Sequence, residues 1–446
     1  MRYSSNVWIQ PRFHSTDFHM TAVDDLPSSV KHSSLGNPQT QRRRKIGLST
    51  ALSFSTGMFV QVSMPLTDLY EVPNARGMFF ALVLGIFAFQ FLSGKSVRIG
   101  SPLLMSYLML SVVLAIGIAY SRAPMYGTTK LVLVCSYFWL LGTVTYNLVQ
   151  DVENGKAFLA GLFFGGLLLV GIVAAEFGNP AQLLSNANRF YRLRFGGDGN
   201  PIMLARHLAL AITIVIMYVA IRRKGLDWIW SIPLVLVTLA YLVGTGSKGP
   251  ILALALSYIL MGMIFLNGIV ARLSLTLCIV SMVLLGALGG LEWLPRGFVE
   301  ERFSDKVQNL SLRLPLYRDV VHVLFESDAT SLLVGHGTGD FGYFALGHDG
   351  RDYPHNVLLE VAYENGLIGV SMLVMALAYP LVAVLRRAKR SLVYNHRVLL
   401  AGLSAIYVSS VINAQFTGDL GANLLIGMFG AATTSMSLSN SADGGT

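Results

Sequence analysis

The stretch GLIGVSMLVMALAYPLVAVL, residues 366–385, decides the fold class of this chain. It contains no charged side chain, and it matches the roughly 20 mostly apolar residues that a helix needs to cross a bilayer. The composition of the whole chain agrees, since 53% of its 446 residues are hydrophobic and 13% are charged. A soluble globular domain carries roughly 25% charged residues. The sequence therefore predicts an all-α integral membrane protein.

Apolar segments of similar length recur along most of the sequence. By the same length criterion they predict about twelve transmembrane helices. Their approximate bounds are 46–64, 77–93, 102–120, 129–149, 157–175, 202–221, 228–244, 250–267, 272–290, 367–385, 398–414 and 420–437.

The distribution of positive charge predicts the orientation of these helices. Lys and Arg gather in alternate short connections, which the positive-inside rule places in the cytoplasm. These connections hold Arg42 to Lys45, Lys95 and Arg98, Lys156, Arg222 to Lys224, Arg272, and the cluster from Arg386 to Arg397. Both chain ends are then cytoplasmic, and the polar residues 1–45 are predicted to form a disordered tail.

Two long connections lie on the outer side in this topology, near residues 176–201 and at 291–366. The second separates helices 9 and 10, and its patterning predicts a large, partly helical loop. Helices 1–9 then occupy residues 46–290. Helices 10–12 and a short cytoplasmic tail occupy residues 367–446.

Several function classes are disfavoured by the remaining composition. The net charge of +9 comes from short basic clusters between apolar runs, without the basic stripe and interleaved aromatics of a nucleic-acid surface. The two cysteines, Cys135 and Cys278, lie inside apolar runs and form no metal-binding or redox motif. No metal site and no cofactor are predicted.

A polar segment, PHNVLLEVAYENG at residues 354–366, leads directly into the apolar stretch. Pro354 is predicted to start the helix, which puts His355 in its first turn, with Asn356 and Glu360 on an adjacent face. The positive end of a helix dipole favours the neutral imidazole that a general base requires. His355 is therefore either a catalytic base or an interfacial anchor, with Asn356 and Glu360 as supporting residues.

Arginines cluster in the first outer loop, NANRFYRLRFGGDGNPIMLAR at residues 186–206. Guanidinium groups bind phosphate oxygens in a bidentate manner, and the intervening glycines let the backbone approach an anion. The loop is either a phosphate-binding segment or a solvated loop that contacts lipid headgroups. The arginines concerned are Arg189, Arg192, Arg194 and Arg206.

Further cations occur at two other outer positions. Lys248 opens a span in GTGSKGPILALA, either as an anion contact or as a snorkelling lysine, and the segment lacks the Walker spacing. Arg313 and Arg318 fall on a predicted helix in the large outer loop. His336 and Asp340 follow in GHGTGD, which predicts either an acid/base pair or a plain glycine-rich turn.

These motifs, in this order, resemble the O-antigen ligase and O-antigen polymerase superfamily of membrane glycosyltransferases. The resemblance extends from about residue 176 to 385. The motifs that support it are RLRFGGDGNP, GTGSKG, RLPLYRDVVHVLF leading to VGHGTGDF, and HNVLLEVAYENGLIG at 355–369. The last of these is the most specific. Lys248 is a departure, because family members usually have Arg in that motif.

The resemblance implies glycan transfer from undecaprenyl diphosphate to a hydroxyl of lipid A-core, at the periplasmic face of a bacterial inner membrane. The large outer loop would then be periplasmic. His355 would be the general base, and the diphosphate would be bound by Arg313, Lys248, Arg194, Arg192, Arg189 and Arg318, with Asn356, Glu360 and Arg206 in support. Partners would be the lipid-linked donor, the lipid A-core or carrier-linked glycan acceptor and membrane lipids, with no metal, cofactor or nucleic acid.

Two other functions remain compatible with the sequence. An O-antigen or exopolysaccharide polymerase would join carrier-linked repeat units with the same residues. A polysaccharide flippase or secondary transporter would also have about twelve spans, and it predicts charged residues inside several helices.

Overall fold

The computed structural model describes residues 48–70, 81, 84–89, 92, 98–179, 193, 201–266, 315–388, 393–417 and 419–439. Within these ranges the chain forms helices and turns and contains no strand, which confirms the all-α prediction. Several predicted features lie outside them: the 1–45 tail, the 272–290 span, the 291–314 part of the outer loop, Arg189, Arg192, Arg194 and Arg313.

The helices are numbered here in chain order. The first seven are α1 (Leu48–Tyr70), α2 (Pro102–Ile118), α3 (Pro124–Leu148, with a π-helical segment at Cys135–Leu140), α4 (Val152–Phe177), α5 (Pro201–Arg222), α6 (Gly225–Gly244) and α7 (Lys248–Phe265). The others are α8 (315–326), α9 (Ala329–Val334), α10 (Asp340–Leu346), α11 (Val357–Ala388), α12 (Tyr394–Thr417) and α13 (Leu424–Leu438), with a 3-10 turn at Leu420–Ala422.

Seven of the described helices are long and apolar enough to cross a membrane, namely α3, α4, α5, α6, α7, α11 and α12. The shorter helices α2 and α13 are also apolar. These observations support a multi-pass membrane protein. The total of twelve spans stays a prediction, because most of segment 77–93 and all of 272–290 lie outside the described residues.

Close backbone contact joins α1 and α4. A Cβ at Gly161 would fall on the carbonyl oxygen of Phe54, and one at Gly165 would fall 2.7 Å from the carbonyl oxygen of Met58. Small residues at this spacing let two membrane helices approach each other closely. Asp151 caps the start of α4 by accepting a hydrogen bond of 2.8 Å from the backbone of Asn154.

Helix α13 lies at the centre of the bundle. Its residues from Leu424 to Ser437 are all buried, and it packs against α2, α3, α11 and α12. A helix that is apolar on all sides is expected in such a position. The turn that precedes α13 is consequently held against the ends of α3 and α11.

Helix α11 begins at Val357, close to Pro354, where the sequence predicts its start, and ahead of the apolar span predicted at 367–385. The last part of the predicted outer loop is therefore helical. At Gly366 the backbone is non-helical, with φ 59° and ψ −160°, so the polar first turns form a separate segment before the apolar span. The apolar run alone did not reveal these first turns, because they contain Glu360, Glu364 and Asn365.

Candidate functional site

Three connections meet at one end of the bundle: α2 to α3, α10 to α11, and α12 to α13. The backbone amide of Met125 donates a 2.8 Å hydrogen bond to Asp349, which joins the first connection to the second. Arg351 and Asp419 form an ion pair of 3.0 Å that joins the second to the third. The charge pattern assigns all three connections to the outer side, where the outer-loop motifs were also predicted.

The GHGTGD segment, residues 335–340, is packed into this end of the bundle. Gly335, Gly337 and Gly339 have φ values of 79°, 111° and 87°, in the left-handed region that favours glycine. The hydroxyl of Thr338 donates to the carbonyl of Leu114 at 2.8 Å and accepts from Asn365 at 2.9 Å. The segment therefore links α2 to the kink of α11.

Asp340 is held by a bidentate ion pair with Arg122. The guanidinium Nε and Nη2 atoms lie 2.9 and 2.7 Å from the two carboxylate oxygens, and the hydroxyl of Tyr363 lies 3.3 Å away. The hydrogen bonds to Asp340 raise the pKa of Arg122 above its ordinary value. This carboxylate thus faces Arg122 and Tyr363, which favours the reading of GHGTGD as a structural turn.

His336 packs beside the same tyrosine, with 4.6 Å between the centres of the two rings. Burial is the main cause that lowers the pKa of His336 below its ordinary value, while the negative charge of Asp340 opposes it. The neutral imidazole is favoured.

A buried charge cluster ties α3 to the first turns of α11. The Nζ atom of Lys130 lies 2.6 Å from a carboxylate oxygen of Glu360 and 2.6 Å from one of Glu364, and all three side chains are buried. The other oxygen of Glu360 accepts a 3.0 Å hydrogen bond from the backbone amide of Leu420. Glu360, predicted as a supporting residue, therefore connects three elements.

His355 lies immediately before α11, not in its first turn as the sequence predicted. Asn356 is the capping residue, since its side chain accepts a 3.0 Å hydrogen bond from the amide of Leu359 and donates one of 3.2 Å to the carbonyl of Gln415. His355 has a φ of 55°, and its ring packs 4.7 Å from that of Tyr353. A left-handed conformation is uncommon for a residue other than glycine and occurs often at functional sites.

The other predicted site residues lie in different surroundings. Lys248 is exposed at the first position of α7, and Arg318 is exposed on α8. Arg206 is buried in α5, where its guanidinium donates to the side chain of Asn423 at 3.3 Å and to the carbonyl of Asn413 at 3.5 Å. Arg206 and Asn356 thus both contact α12.

Several polar residues at this end of the bundle were missed in the sequence. They are Lys130, Glu364, Arg122, Arg351 and Asp419. Lys130 carried a usable signal, because it is the single charged residue of the predicted span 129–149, and ionisable groups inside membrane helices are rarely incidental. The partners of Arg122 and Arg351 depend on long-range packing and had no such signal.

Two observations bear on the chemistry of the site. In the part of the chain that the structure describes, no three His, Cys, Asp or Glu side chains are grouped so as to hold a metal ion. Residues 233–374, from α6 into the apolar part of α11, match the family model described as O-antigen ligase.

The match over this segment supports the O-antigen ligase family. It confirms the family predicted from the motifs and contains Lys248, Arg313, Arg318, His355, Asn356 and Glu360. No curated protein matches the chain. Glycan ligation by a membrane protein is the broad function that the match supports.

Proposed function

We propose that this protein is an O-antigen ligase, which transfers a glycan from undecaprenyl diphosphate to a hydroxyl of lipid A-core. The reaction would take place at the periplasmic face of a bacterial inner membrane. The observation that carries the proposal is the family match over residues 233–374, which includes both the GTGSKG motif and the segment with His355. A lipid-linked donor keeps its chain in the bilayer while its diphosphate and glycan emerge at the height of this segment.

His355 is the proposed general base. Its imidazole takes the proton of the acceptor hydroxyl as that oxygen attacks the anomeric carbon of the donor glycan. The bond between this carbon and the diphosphate oxygen breaks, and undecaprenyl diphosphate leaves with the electron pair. General base catalysis of this kind contributes about 10²–10⁴-fold.

Positive side chains are proposed to stabilise the charge that develops on the leaving diphosphate. Charged groups fixed in a partly dehydrated site are effective in this role. The proposed diphosphate-binding residues are Arg189, Arg192, Arg194, Lys248, Arg313 and Arg318. Proton transfer and charge stabilisation are both supplied by side chains, so the proposal requires no metal or nucleotide.

The support for His355 comes from the elements around it. Asn356 fixes the start of α11 against α12, and Glu360 is held by Lys130 and the turn before α13. A catalytic group needs such a supporting shell to keep its geometry. Asn356 and Glu360 are therefore proposed as positioning residues.

A transporter is the second candidate function. A transporter is expected to have charged groups inside its helices, and Lys130, Glu360 and Glu364 are buried in α3 and α11.

A reconstitution experiment distinguishes the candidate functions. Purified protein is given undecaprenyl-diphosphate glycan with either lipid A-core or a second carrier-linked glycan. Growth of lipid A-core supports a ligase, and growth of the carrier-linked glycan supports a polymerase. Translocation of the donor across vesicles without any transfer would support a transporter and overturn the proposal.

A further inference from the structure

Tyr353 lies between the proposed base and an arginine. Its ring packs 4.7 Å from the ring of His355 in an edge-to-face arrangement, and the guanidinium carbon of Arg351 lies 5.8 Å from the centre of the same ring. Tyr353 and His355 are both half-buried, whereas 59% of the Arg351 side chain is exposed. The three side chains therefore form one continuous surface that a ligand can reach from its exposed side.

The backbone holds this surface in place. Pro354 is buried between the two aromatic residues, and its ring fixes its own φ and restricts Tyr353 to extended conformations. The amide of Tyr353 donates a 2.8 Å hydrogen bond to the side chain of Asp352. On the other side of His355, Asn356 is fixed as the capping residue of α11. The surface is thus ordered before any ligand binds to it.

Arg351 is fixed by a buried carboxylate. Its Nε and Nη2 atoms lie 3.2 and 3.0 Å from Oδ2 of Asp419, whose side chain is 4% exposed. The other carboxylate oxygen of Asp419 accepts a 2.7 Å hydrogen bond from the amide of Gly421. A guanidinium has five N–H donors in a plane, and this ion pair engages one edge of it. The exposed remainder of Arg351 can donate to an oxygen of a ligand.

These groups have the chemistry of a sugar-binding surface. A sugar presents an apolar C–H face that packs against an aromatic ring, and its hydroxyl groups bind planar polar side chains. Tyr353 supplies the ring, and Arg351 supplies the planar donors. Because the Arg351–Asp419 pair has no net charge, it suits neutral hydroxyl groups better than the diphosphate of the donor.

The proposed reaction, on which this inference rests, brings the acceptor sugar to the same place. A general base takes a proton from a group within about 2.6–3.2 Å. The sugar that carries the reacting hydroxyl must then lie beside the imidazole of His355, which the ring of Tyr353 adjoins. The hydroxyls of one sugar differ chiefly in position, so contacts with the rest of the sugar decide which of them is aligned with the base.

We propose that Tyr353 and Arg351 bind the acceptor sugar and determine which of its hydroxyls reaches His355. Tyr353 packs against the C–H face of the sugar, and Arg351 donates to a neighbouring sugar oxygen. Both residues determine specificity. Proton transfer stays with His355.

The test measures transfer by detergent-purified full-length protein. Tyr353→Ala should raise the KM for lipid A-core by about 10-fold, the loss typical of an aromatic contact, and leave the KM for the undecaprenyl-diphosphate glycan unchanged. The product should also contain linkages to other hydroxyls of the acceptor sugar, which NMR of the product detects. Tyr353→Phe keeps the ring and should give the wild-type KM and linkage.

Tyr343→Ala is the matched control. Tyr343 also lies beside an exposed arginine that is paired with a buried aspartate, since the guanidinium carbon of Arg122 is 4.8 Å from its ring and Arg122 binds Asp340. The variant should retain the wild-type acceptor KM and linkage. If it changes both as Tyr353→Ala does, a general disturbance of this end of the bundle causes the effect and the proposal is wrong.

Arg351→Lys keeps the test decisive if Tyr353→Ala does not fold. It retains the charge opposite Asp419 but lacks the planar donors, so it should also raise the acceptor KM without changing the donor KM. Folded variants at both positions that keep the wild-type acceptor KM and linkage would overturn the inference and leave the proposed ligase intact.

A binding measurement without donor separates this inference from the proposed function. Core oligosaccharide released from lipid A is added to the protein, and saturation-transfer NMR detects the sugar protons in contact with it. Wild type and Tyr353→Phe should give a signal that Tyr353→Ala loses. If wild type binds the oligosaccharide through Tyr353 but transfers no glycan to lipid A-core, the ligase is refuted and the sugar-binding surface stands. Binding that does not depend on Tyr353 would refute the surface.

Discussion

The Nζ atom of Lys130 lies 2.6 Å from Oε1 of Glu364, although the two residues are 234 positions apart in the sequence. The lysine and its two glutamate partners are buried, so the contact joins α3 to the first turns of α11 without screening by solvent. Isolated charges in a low-dielectric interior are unfavourable, and these ions depend on one another. The segment that carries His355 is fixed to the bundle through this cluster.

Removing the lysine should be strongly destabilising. Lys130→Met leaves two buried carboxylates without their cation, and the loss of one partner from a buried ion pair costs about 3–5 kcal/mol. The loss is measured as a lower unfolding temperature in detergent. Lys156→Met is the control, because its ion pair with Glu153 is exposed and should contribute at most about 1 kcal/mol.

A compensating variant separates charge from packing. Glu360→Gln and Glu364→Gln, added to Lys130→Met, remove the uncompensated charges, and part of the lost stability should return. A triple variant that stays as unstable as Lys130→Met would show that lost packing, and not buried charge, causes the defect.

The kink of α11 requires glycine at position 366. Its φ of 59° and ψ of −160° lie in a region that essentially only glycine adopts. A Cβ there would also collide with the carbonyl of Leu333. Gly366→Ala should therefore reduce the yield of folded protein severely, as measured by size-exclusion chromatography of solubilised membranes.

Gly347→Ala is the matched control for this prediction. Gly347 also has a positive φ, 75°, but a Cβ there would meet nothing within 4 Å. The cost should be limited to about 1–2 kcal/mol for the left-handed conformation. Equal yields for the two variants would show that the close contact between the kink and Leu333 is unimportant.

The sequence predicted most of the spans because hydropathy is a local property. Segment 202–221 corresponds to α5 at Pro201–Arg222, and segment 398–414 to α12 at Tyr394–Thr417. Hydropathy alone identified only the apolar part of α11, because its first turns are polar and become favourable through Lys130 and the α13 turn. Such long-range pairing leaves no periodic signal in the sequence.

Only part of the candidate site could be predicted from the sequence, because its long-range contacts leave no local signal. The motif placed His355, Asn356 and Glu360 together, and the structure finds them in one segment at the start of α11. The sequence GHGTGD predicts either an acid/base pair or a turn. The contact of Asp340 with Arg122, a residue 218 positions away, favours the turn and could not be read from local sequence.

His336 predicts a pH dependence of stability. Burial lowers its pKa in the folded protein below the ordinary value of 6.5. As the pH falls through 6.5, the unfolded chain takes up a proton that the folded protein does not bind until a lower pH. The contribution of His336 is therefore complete above about pH 6.5 and decreases as the pH falls below it.

The variant His336→Gln should flatten this part of the stability profile, measured as unfolding temperature between pH 5 and 8. His348→Gln is the control, because it makes the same substitution at an exposed position in the α10 to α11 connection. A profile that keeps its full slope without His336 would assign the pH dependence to another group.

A substitution at Lys248 tests whether lysine, in place of the arginine usual in the family motif, affects donor binding. Lys248→Arg restores the planar guanidinium that fits diphosphate oxygens, and the exposed position at the start of α7 has room for it. Transfer activity at saturating acceptor should be retained or increased, with a lower KM for the donor. Complete loss of activity in folded protein would indicate that Lys248 has a packing role instead.

The central prediction concerns His355. His355→Ala removes the proposed base, so turnover per folded molecule should decrease by about two to four orders of magnitude. The fold should survive, because Lys130, Glu360 and Asn356 hold the start of α11 independently of the imidazole. His336→Ala should reduce turnover much less, and His348→Ala should have almost no effect.

The variant His355→Asn separates loss of the base from a change in backbone conformation. The φ of 55° at this position is tolerated better by Asn than by Ala, so the variant keeps the local conformation but has no basic nitrogen. Its turnover should be as low as that of His355→Ala, although its stability should equal or exceed that of wild type.

In wild-type protein, activity should decrease at acidic pH, where a protonated imidazole cannot accept the proton of the acceptor hydroxyl. Both variants should lose this acidic limb. An anchoring histidine would instead give normal turnover per folded molecule with reduced stability, and that result would exclude His355 as the base.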